Sequence, residues 1–473
     1  MADIQQTDLI VIGGGPGGYA AAFYAADSGM NVTLVDTDKN PGGVCLYRGC
    51  IPSKALLHVA KLINEAKHAA EWGISFGDPS VDIDTLRAFK NRVVDKLTGG
   101  LGQLGGARKI TFLQGWATFR GSKTLEVQKT DGESVTLSFR HAILATGSRP
   151  ASIPGMPEGS KRVWDSSAAL DLPFIPGKLL VIGGGYIGLE LGTVYAALGS
   201  KITVVEMTDG LLPGADRDLV NPLKKRLDAQ FESILLKTKV SEMKEQKNGV
   251  KVTFESVDGG RSELFDAVLI SVGRKPNTQG FGLEMTRVAV NERGFVVVDP
   301  QRRTADENIF AIGDITGDPM LAHKASHEAR VAVDAIAGKK TVFEPYAIPA
   351  VVFTDPEIAW AGLTETEAKQ QGRKIEIGRF PWAASGRATT LDRSDGVTKL
   401  LVEPETQRVL GIGIAGPGAG ELIAEGVLAL EMGATVKDLA LSIHPHPTLS
   451  ETVMEAAEAY FGHATHLFRP KGR

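Results

Sequence analysis

One segment of this chain occurs twice. Leu9–Asp36 reads LIVIGGGPGGYAAAFYAADSGMNVTLVD, and Leu179–Glu206 reads LLVIGGGYIGLELGTVYAALGSKITVVE, without a gap and at a constant offset of 170. Gly13, Gly15 and Gly18 fall on Gly183, Gly185 and Gly188, Gly29 falls on Gly199, and the acidic Asp36 falls on Glu206. Each copy runs from a strand-length apolar stretch through a Gly-x-Gly-x-x-Gly turn into an Ala-rich helical stretch closed by Gly. A second β-branched run then ends on a carboxylate. A chain with this order twice is expected to contain two βαβ units built on parallel sheets.

The glycine spacing has a physical reason. The first Gly permits the sharp turn, the second lets backbone approach a pyrophosphate, and the third lets helix and strand pack closely. The helix N-terminus offers unpaired N–H donors and a partial positive charge to the phosphates. Asp36 and Glu206 are placed to accept hydrogen bonds from an adenosine ribose, and a carboxylate there favours a free 2'-hydroxyl over a 2'-phosphate. NAD is therefore preferred to NADP. Downstream, Ala267–Val272 ends at Gly273-Arg274 and Asn308–Ile312 leads into Gly313-Asp314, strand-to-polar turns of the kind that meet ligands at the carboxyl ends of parallel strands. From Tyr346 onward the pattern changes to strand-like runs over 350–354, 398–403 and 409–414, followed by a helical stretch over 420–432. That reads as a separate α+β domain, with boundaries near 148, 275 and 347.

A length of 473 residues suits several such domains, and the 55 glycines cluster between apolar runs, as tight strand-to-helix turns require. A net charge of −4 provides no electrostatic footprint for nucleic acid or an anionic membrane. No apolar stretch reaches the roughly 18 residues of a membrane span. The polar Met1–Thr7 lacks the pattern of a leader peptide, so a cytoplasmic location is the expectation.

The only cysteines, Cys45 and Cys50, lie in Gly42-Gly43-Val44-Cys45-Leu46-Tyr47-Arg48-Gly49-Cys50-Ile51-Pro52-Ser53-Lys54, just beyond the first ribose carboxylate. A metal would need three or four ligands, and the motif holds no further Cys and no His. A structural disulfide here would close a very small loop. A redox-active pair remains. Pro52 and the Ala-Leu-rich run after it predict a helix starting near Cys50, whose thiolate would feel the helix N-terminus together with Arg48 and Lys54. A dithiol gives up two electrons that a flavin can accept and return as hydride to a nicotinamide. One dinucleotide site is thus expected to hold FAD and the other NAD. Near the other end, His446 is bracketed by Pro445 and Pro447, which hold the backbone rigid, and Glu451 is near enough to orient the imidazole. The residues themselves do not separate His446 from His444.

These motifs together resemble the flavin disulfide reductases over nearly the whole chain. The resemblance rests on GGxCxxxGCIPSK, both glycine fingerprints, Ala145-Thr146-Gly147, Ile312-Gly313-Asp314 and the run His446–Glu451. It implies two Rossmann-like dinucleotide-binding domains plus a C-terminal α+β dimerisation domain. Residues 1–148 would carry the first part of the FAD domain and the redox pair, 149–274 the NAD domain, 275–346 a central domain completing the FAD site, and 347–473 the interface domain. By the same resemblance, Cys45 exchanges with the substrate dithiol and Cys50 contacts the flavin. His446 is the general acid/base, contributed across the dimer, and Glu451 orients it. Lys54 and Glu190 lie beside the flavin ring. Gly43, Asp36, Ala117, Thr146, Gly147, Asp314 and Ala322 join Gly13, Gly15 and Gly18 around FAD. Tyr186, Ile187, Glu206, Val240, Gly273 and Arg274 join Gly183, Gly185 and Gly188 around NAD.

The implied activity is oxidation of protein-bound dihydrolipoamide, with the lipoyl domains and core acyltransferase of 2-oxo acid dehydrogenase complexes, or the glycine-cleavage lipoyl carrier, as partners. Glutathione-type reduction and a non-catalytic flavoprotein scaffold are the alternatives. Glu206 disfavours the NADPH that the former normally uses, and retention of both thiols, His446 and Glu451 disfavours the latter. Four positions depart from the family pattern. Tyr47-Arg48 stands where Asn-Val is usual, and Arg48 is expected to be exposed. Ala117 replaces a frequent Gly, and Tyr186 sits where a nicotinamide-gating Tyr occurs in glutathione reductase.

Overall fold

The structure is a computed structural model that describes residues 5–157, 159–256 and 259–468. The first four residues of the polar Met1–Thr7 stretch lie outside the described residues. The first repeat forms β1 (Gln5–Ile12), α1 (Pro16–Asp27) and β2 (Val32–Asp36). Leu9, Ile10, Val11 and Ile12 are all buried, which is why this strand reads as a continuous apolar run and not as an alternation. The parallel sheet runs in the order 111–114, β2, β1, 134–144 and 309–311. α1 starts on Pro16, whose fixed φ suits a first turn. It buries Gly17, Gly18, Ala21, Ala22 and Ala25, a face of small residues that lets the helix Ala322–Ile336 approach closely.

The second repeat builds the same core. Ile182 pairs with Val205 as Ile12 pairs with Val35, so the offset of 170 survives in the strand register. The order is Ser233–Leu235, Lys201–Val205, Lys178–Ile182, Ala267–Ile270 and Val163–Trp164, all parallel. Each unit also carries a three-stranded antiparallel meander, which in the first unit shares its outer strands with the parallel sheet and in the second precedes the strand Ala267–Ile270. In the first it is Thr111–Gly121, Thr124–Lys129 and Ser134–Leu144; in the second it is Thr238–Gln246, Gly249–Ser256 and Gly259–Phe265. The duplication thus extends beyond the aligned segment. The chain enters the second unit through Ser148–Pro150 and leaves it through Arg274–Pro276, and these two crossings pair with each other.

The remainder is an antiparallel sheet, Ala350–Val352, Ile358–Gly362, Val409–Ala415, Val397–Val402 and Glu376–Pro381, packed with the helices Ala419–Glu431, Val436–Leu441 and Glu451–Phe461. The expected runs at 350–354, 398–403 and 409–414 all contain strands. Sequence reading passed over Glu376–Pro381, an edge strand whose Glu376, Arg379 and Pro381 disguise its alternation. Ile358–Gly362 escaped too, being short and beginning just after Pro356.

This domain is anchored to the second unit through one buried cation. Lys399 is 1% exposed, and its Nζ lies 2.7 Å from a carboxylate oxygen of each of Asp216, Asp218 and Glu365. Burial alone would lower the pKa of the ammonium, but the three carboxylates raise it, and in return Asp216 is held below the usual carboxylate range. Asp216 also accepts the backbone N–H groups of Glu365 and Thr366. Removing one partner of a buried ionic group leaves the others uncompensated, at a cost of about 3–5 kcal/mol. Lys399→Met is therefore expected to destabilise the protein by about that much in urea unfolding, whereas an unchanged midpoint would show that the cluster is not structural.

Candidate functional site

The first fingerprint, the thiol pair, the helix start at Tyr186-Ile187 and the Gly313-Asp314 turn converge on one cavity of about 640 Å³. Its wall includes Gly13, Gly15, Asp36, Gly43, Cys45, Cys50 and Lys54 from the first unit, with Ala117, Thr146 and Gly147. Tyr186, Ile187, Glu190 and Arg274 enter it from the second unit, and Asp314 and Ala322 from the return segment, the stretch of chain that rejoins the first sheet at Ile309–Ala311 and runs on into the helix Ala322–Ile336. Gly18 is not on this wall. A Cβ there would collide with the carbonyl oxygen of Gly13, so its role is close packing of α1 against β1. Gly15, by contrast, faces open space, its nearest neighbour being the Gly43 Cα at 4.0 Å from a built Cβ. Backbone laid bare toward a cavity, at a helix N-terminus with a carboxylate beside it, fits the diphosphate and ribose of a dinucleotide.

The two carboxylates that end the repeats are held in the same way. Asp36 Oδ2 accepts from the Gly14 N–H and Oδ1 from the Asp38 N–H at 2.8 Å. Glu206 Oε2 accepts from the Gly184 N–H at 2.7 Å and Oε1 from the Thr208 N–H at 2.8 Å. Burial pushes the Asp36 carboxyl up, and the two amides pull it back. Gly183, Gly185, Gly188, Glu206, Val240 and Gly273 are not among the residues lining the cavity; they belong to the second fingerprint and its surroundings. Val240 is half-buried against the apolar cluster of the second meander, and Gly273 has φ +114 in the turn before Arg274.

The thiols sit across a helix break. α2 (Gly43–Arg48) carries Cys45, and α3 (Cys50–His68) begins on Cys50, as Pro52 led one to expect, with Gly49 between them. Both cysteines are free thiols. Cys50 is lowered to about 7, first by the hydrogen bond it accepts from Cys45 and then by Lys54, against opposition from burial and Glu190. Cys45, as donor to that bond and largely buried, is pushed up. The two sulfurs are thus inequivalent before any substrate arrives. Arg48, whose charge could have biased the thiolate but which was expected to be exposed, is exposed, and its guanidinium forks onto Asp38 at 3.0 and 2.6 Å.

Beside Cys50, Lys54 Nζ contacts Glu190 Oε2 at 2.8 Å and lies 4.4 Å from the centre of the Phe353 ring. Glu190 is buried, and it also accepts from Ser53 Oγ at 3.0 Å and from the Phe353 N–H at 3.0 Å. One carboxylate from the second unit thereby ties α3 to the C-terminal domain. At the opposite wall Arg274 donates to Ser148 Oγ and O, each at 2.7 Å, and Ser148 Oγ donates to Asp314. The Gly313 N–H is gripped by Glu328 at 2.6 Å; Glu328 is fully buried and paired with Arg302 and Lys324. Asn277 bonds both Thr146 O and the backbone of Gly147. Sequence reading missed Ser148, Asn277, Glu328 and Phe353, none of which carries a local motif.

The two histidines separate clearly. His444 uses both ring nitrogens, Nε2 on Glu425 at 2.7 Å and Nδ1 on the Ser442 carbonyl at 2.9 Å, and its side chain is only 7% exposed. It is structural. His446 lies in the open with Nδ1 2.9 Å from Glu451 Oε1, while Glu451 Oε2 accepts the Thr448 N–H at 2.8 Å. Burial of Glu451 is outweighed by these two partners, and its pKa falls. With Nδ1–H donated to the carboxylate, Nε2 is the nitrogen that can take a proton. Within one chain His446 does not line the cavity that holds the thiols.

With this geometry in place, comparison with known proteins defines the class. Residues 7–329 match the pyridine nucleotide-disulphide oxidoreductase family, and 348–457 match its dimerisation domain. The chain is 48% identical over 469 residues to a dihydrolipoyl dehydrogenase from Vibrio cholerae, covering 99% of this chain and 98% of that one. A dihydrolipoyl dehydrogenase from Haloferax volcanii is 46% identical over 464 residues, covering 97% of both. Among solved structures, LpdA from Mycobacterium tuberculosis superposes with a TM-score of 0.88 at 26% identity, covering 96% of this chain and 99% of that one. The flavoprotein disulfide reductase RclA from Escherichia coli superposes with a TM-score of 0.83 at 30% identity, covering 94% and 98%. The chain belongs to the pyridine nucleotide-disulphide oxidoreductase family.

The sulfur asymmetry has a measurable consequence. In the reduced chain, stripped of flavin, ultraviolet thiolate absorbance is expected to rise through a midpoint near pH 7, the anion being the form present above it. Cys50→Ser should abolish this step. Lys54→Met should move the midpoint upward, since the ammonium that favours the anion is gone. A midpoint at the ordinary thiol value of 9.0 would contradict the assigned donor and acceptor.

Proposed function

We propose that this chain is the enzyme that oxidises protein-bound dihydrolipoamide with NAD⁺, using Cys45 and Cys50 as a redox pair and FAD as the internal carrier. The polarised thiol pair, opening into the cavity that both units share, carries this reading. Asp36, Gly13, Gly15, Gly43, Ala117, Thr146, Gly147, Asp314 and Ala322 would hold FAD, with Lys54 and Glu190 beside its ring. Glu206, Gly183, Gly185, Gly188, Tyr186, Ile187, Val240, Gly273 and Arg274 would hold NAD. When bound, the flavin supplies a two-electron acceptor for the dithiol and a hydride donor to NAD⁺.

The protein's own part is sulfur and proton chemistry. In the oxidised enzyme Cys45 and Cys50 form a disulfide. His446 of the partner subunit takes a proton at Nε2 from one thiol of dihydrolipoamide, and Glu451 stabilises the resulting imidazolium. The substrate thiolate attacks Cys45 Sγ, the Cys45–Cys50 bond breaks, and Cys50 leaves as the thiolate. The helix N-terminus and Lys54 favour that choice, since the sulfur of lower pKa is the better leaving group. The second substrate thiol, losing its proton, attacks the substrate sulfur of the mixed disulfide. A cyclic disulfide departs, and Cys45 is released and takes up a proton. Two electrons have moved from the substrate dithiol to the enzyme pair, and the Cys45 S–H then donates to the Cys50 thiolate.

The dimerisation domain matched by residues 348–457 makes the functional unit a homodimer. The exposed setting of His446, remote from its own chain's thiols, supports a site completed across that dimer. The partners are the lipoyl domains and core acyltransferase of 2-oxo acid dehydrogenase complexes, or the glycine-cleavage lipoyl carrier. A cytoplasmic location suits a thiol pair that must cycle. Among the described residues no helix is long and apolar enough to cross a membrane.

Two measurements test this reading. Turnover should be fast with lipoamide and NADH and negligible with glutathione, and NADH should outperform NADPH because Glu206 repels a 2'-phosphate. Efficient glutathione reduction would refute the proposed substrate. His446→Gln should slow lipoamide turnover by about a hundredfold or more while leaving NADH-to-dye electron transfer intact; equal loss of both would remove His446 from its assigned role.

A further inference from the structure

Tyr47 and Arg48 lie between the cysteines but reach away from them. The Tyr47 hydroxyl donates to the Asn40 carbonyl at 3.2 Å, and the Arg48 guanidinium sits 5.7 Å from the Tyr47 ring centre while forking onto both oxygens of Asp38. Both side chains thus grip the loop that carries Asp36 out of β2. Asp36, Asp38 and Arg48 all line the cavity. The corner therefore presents two carboxylates on one short loop, and the Asp38 N–H is itself one of the donors that hold Asp36. Without a cation, the second carboxylate would repel both Asp36 and any diphosphate brought alongside. A bidentate guanidinium matches a carboxylate better than an ammonium and fixes its plane as well as its charge.

We propose that Arg48 is a positioning residue for FAD: by clamping Asp38 it cancels the second carboxylate of the ribose corner and leaves Asp36 alone, and correctly oriented, to accept the adenosine ribose hydroxyls. The inference rests on the reading of the first fingerprint as the FAD site. As an exposed ion pair the Arg48–Asp38 contact contributes little to the fold. Its effect falls on binding, because filling the cavity excludes the water that otherwise screens the two carboxylates.

The test is the affinity of the chain for FAD, read from the rise in free-flavin fluorescence when the holoenzyme is diluted. Arg48→Val is expected to weaken FAD binding about tenfold, the effect of one lost charge-assisted interaction. Asp38→Asn should bind within about threefold of the native chain, and the double variant R48V/D38N should return to that level, because neutralising Asp38 removes the need for the clamp. An R48V protein that holds FAD like the native chain overturns the inference, as does a loss that D38N fails to repair. Should R48V not fold, Arg48→Lys keeps the charge and loses the fork; a weakening of about threefold supports the clamp, and native affinity overturns it. A chain that binds no flavin overturns the functional reading and this inference with it, whereas a flavin-bearing enzyme indifferent to R48V sinks the inference alone.

Discussion

The close coupling of the Cys45 and Cys50 thiols, with Lys54 beside them, is the interaction around which the site is organised. It makes two chemically identical side chains unlike, one a protonated donor and the other an anion near neutrality. Its surroundings sustain that difference through Lys54, while burial and the charge of Glu190 act against it. Gly49 breaks the helix so that Cys50 begins α3 and faces the cavity, Lys54 stands one turn further on, and Glu190 holds Lys54 from a different domain. A sulfur of lowered pKa and a sulfur of raised pKa are then set by position, before substrate contributes anything.

The duplicated unit shows how one solution to dinucleotide binding is used for two purposes. Both copies hold their carboxylate with the same pair of backbone amides, one from the glycine turn and one two residues beyond the carboxylate itself. They differ in what closes over them. The first copy is roofed by the return segment, with Gly313 pinned by the buried Glu328 and Asp314 tied through Ser148 to Arg274. The second sends the start of its helix, Tyr186, Ile187 and Glu190, together with Arg274 into the shared cavity, while Glu206 and its fingerprint glycines stay outside the wall. Such an arrangement suits a resident cofactor in the first site and an exchanging one in the second.

Much of this was legible beforehand because its causes are local. The glycine turns, the strand registers that follow from buried apolar runs, the helix start at Cys50 and the inequivalent settings of the cysteines all follow from neighbours within a few residues. The choice between His444 and His446 was not legible, since it depends on Glu425 from a distant helix occupying one of them. Nor was the direction of Arg48, which the positive charge near Cys50 suggested would serve the thiolate and which Asp38 draws the other way. The second meander escaped notice because an antiparallel sheet with one exposed face tolerates almost any alternating sequence.

The amino-acid sequence by itself determined that there are two βαβ units with glycine turns, that a thiol pair adjoins the first, and that a carboxylate ends the second strand-length run of each, because each of these is encoded in short-range spacing. Only the tertiary structure decided which groups meet: Glu190 with Lys54, Lys399 with three carboxylates, Glu328 with Gly313, and His446 held away from the thiols of its own chain. These contacts join residues from separate elements and separate domains. Their partners are selected by the burial of charge, which no spacing along the chain records.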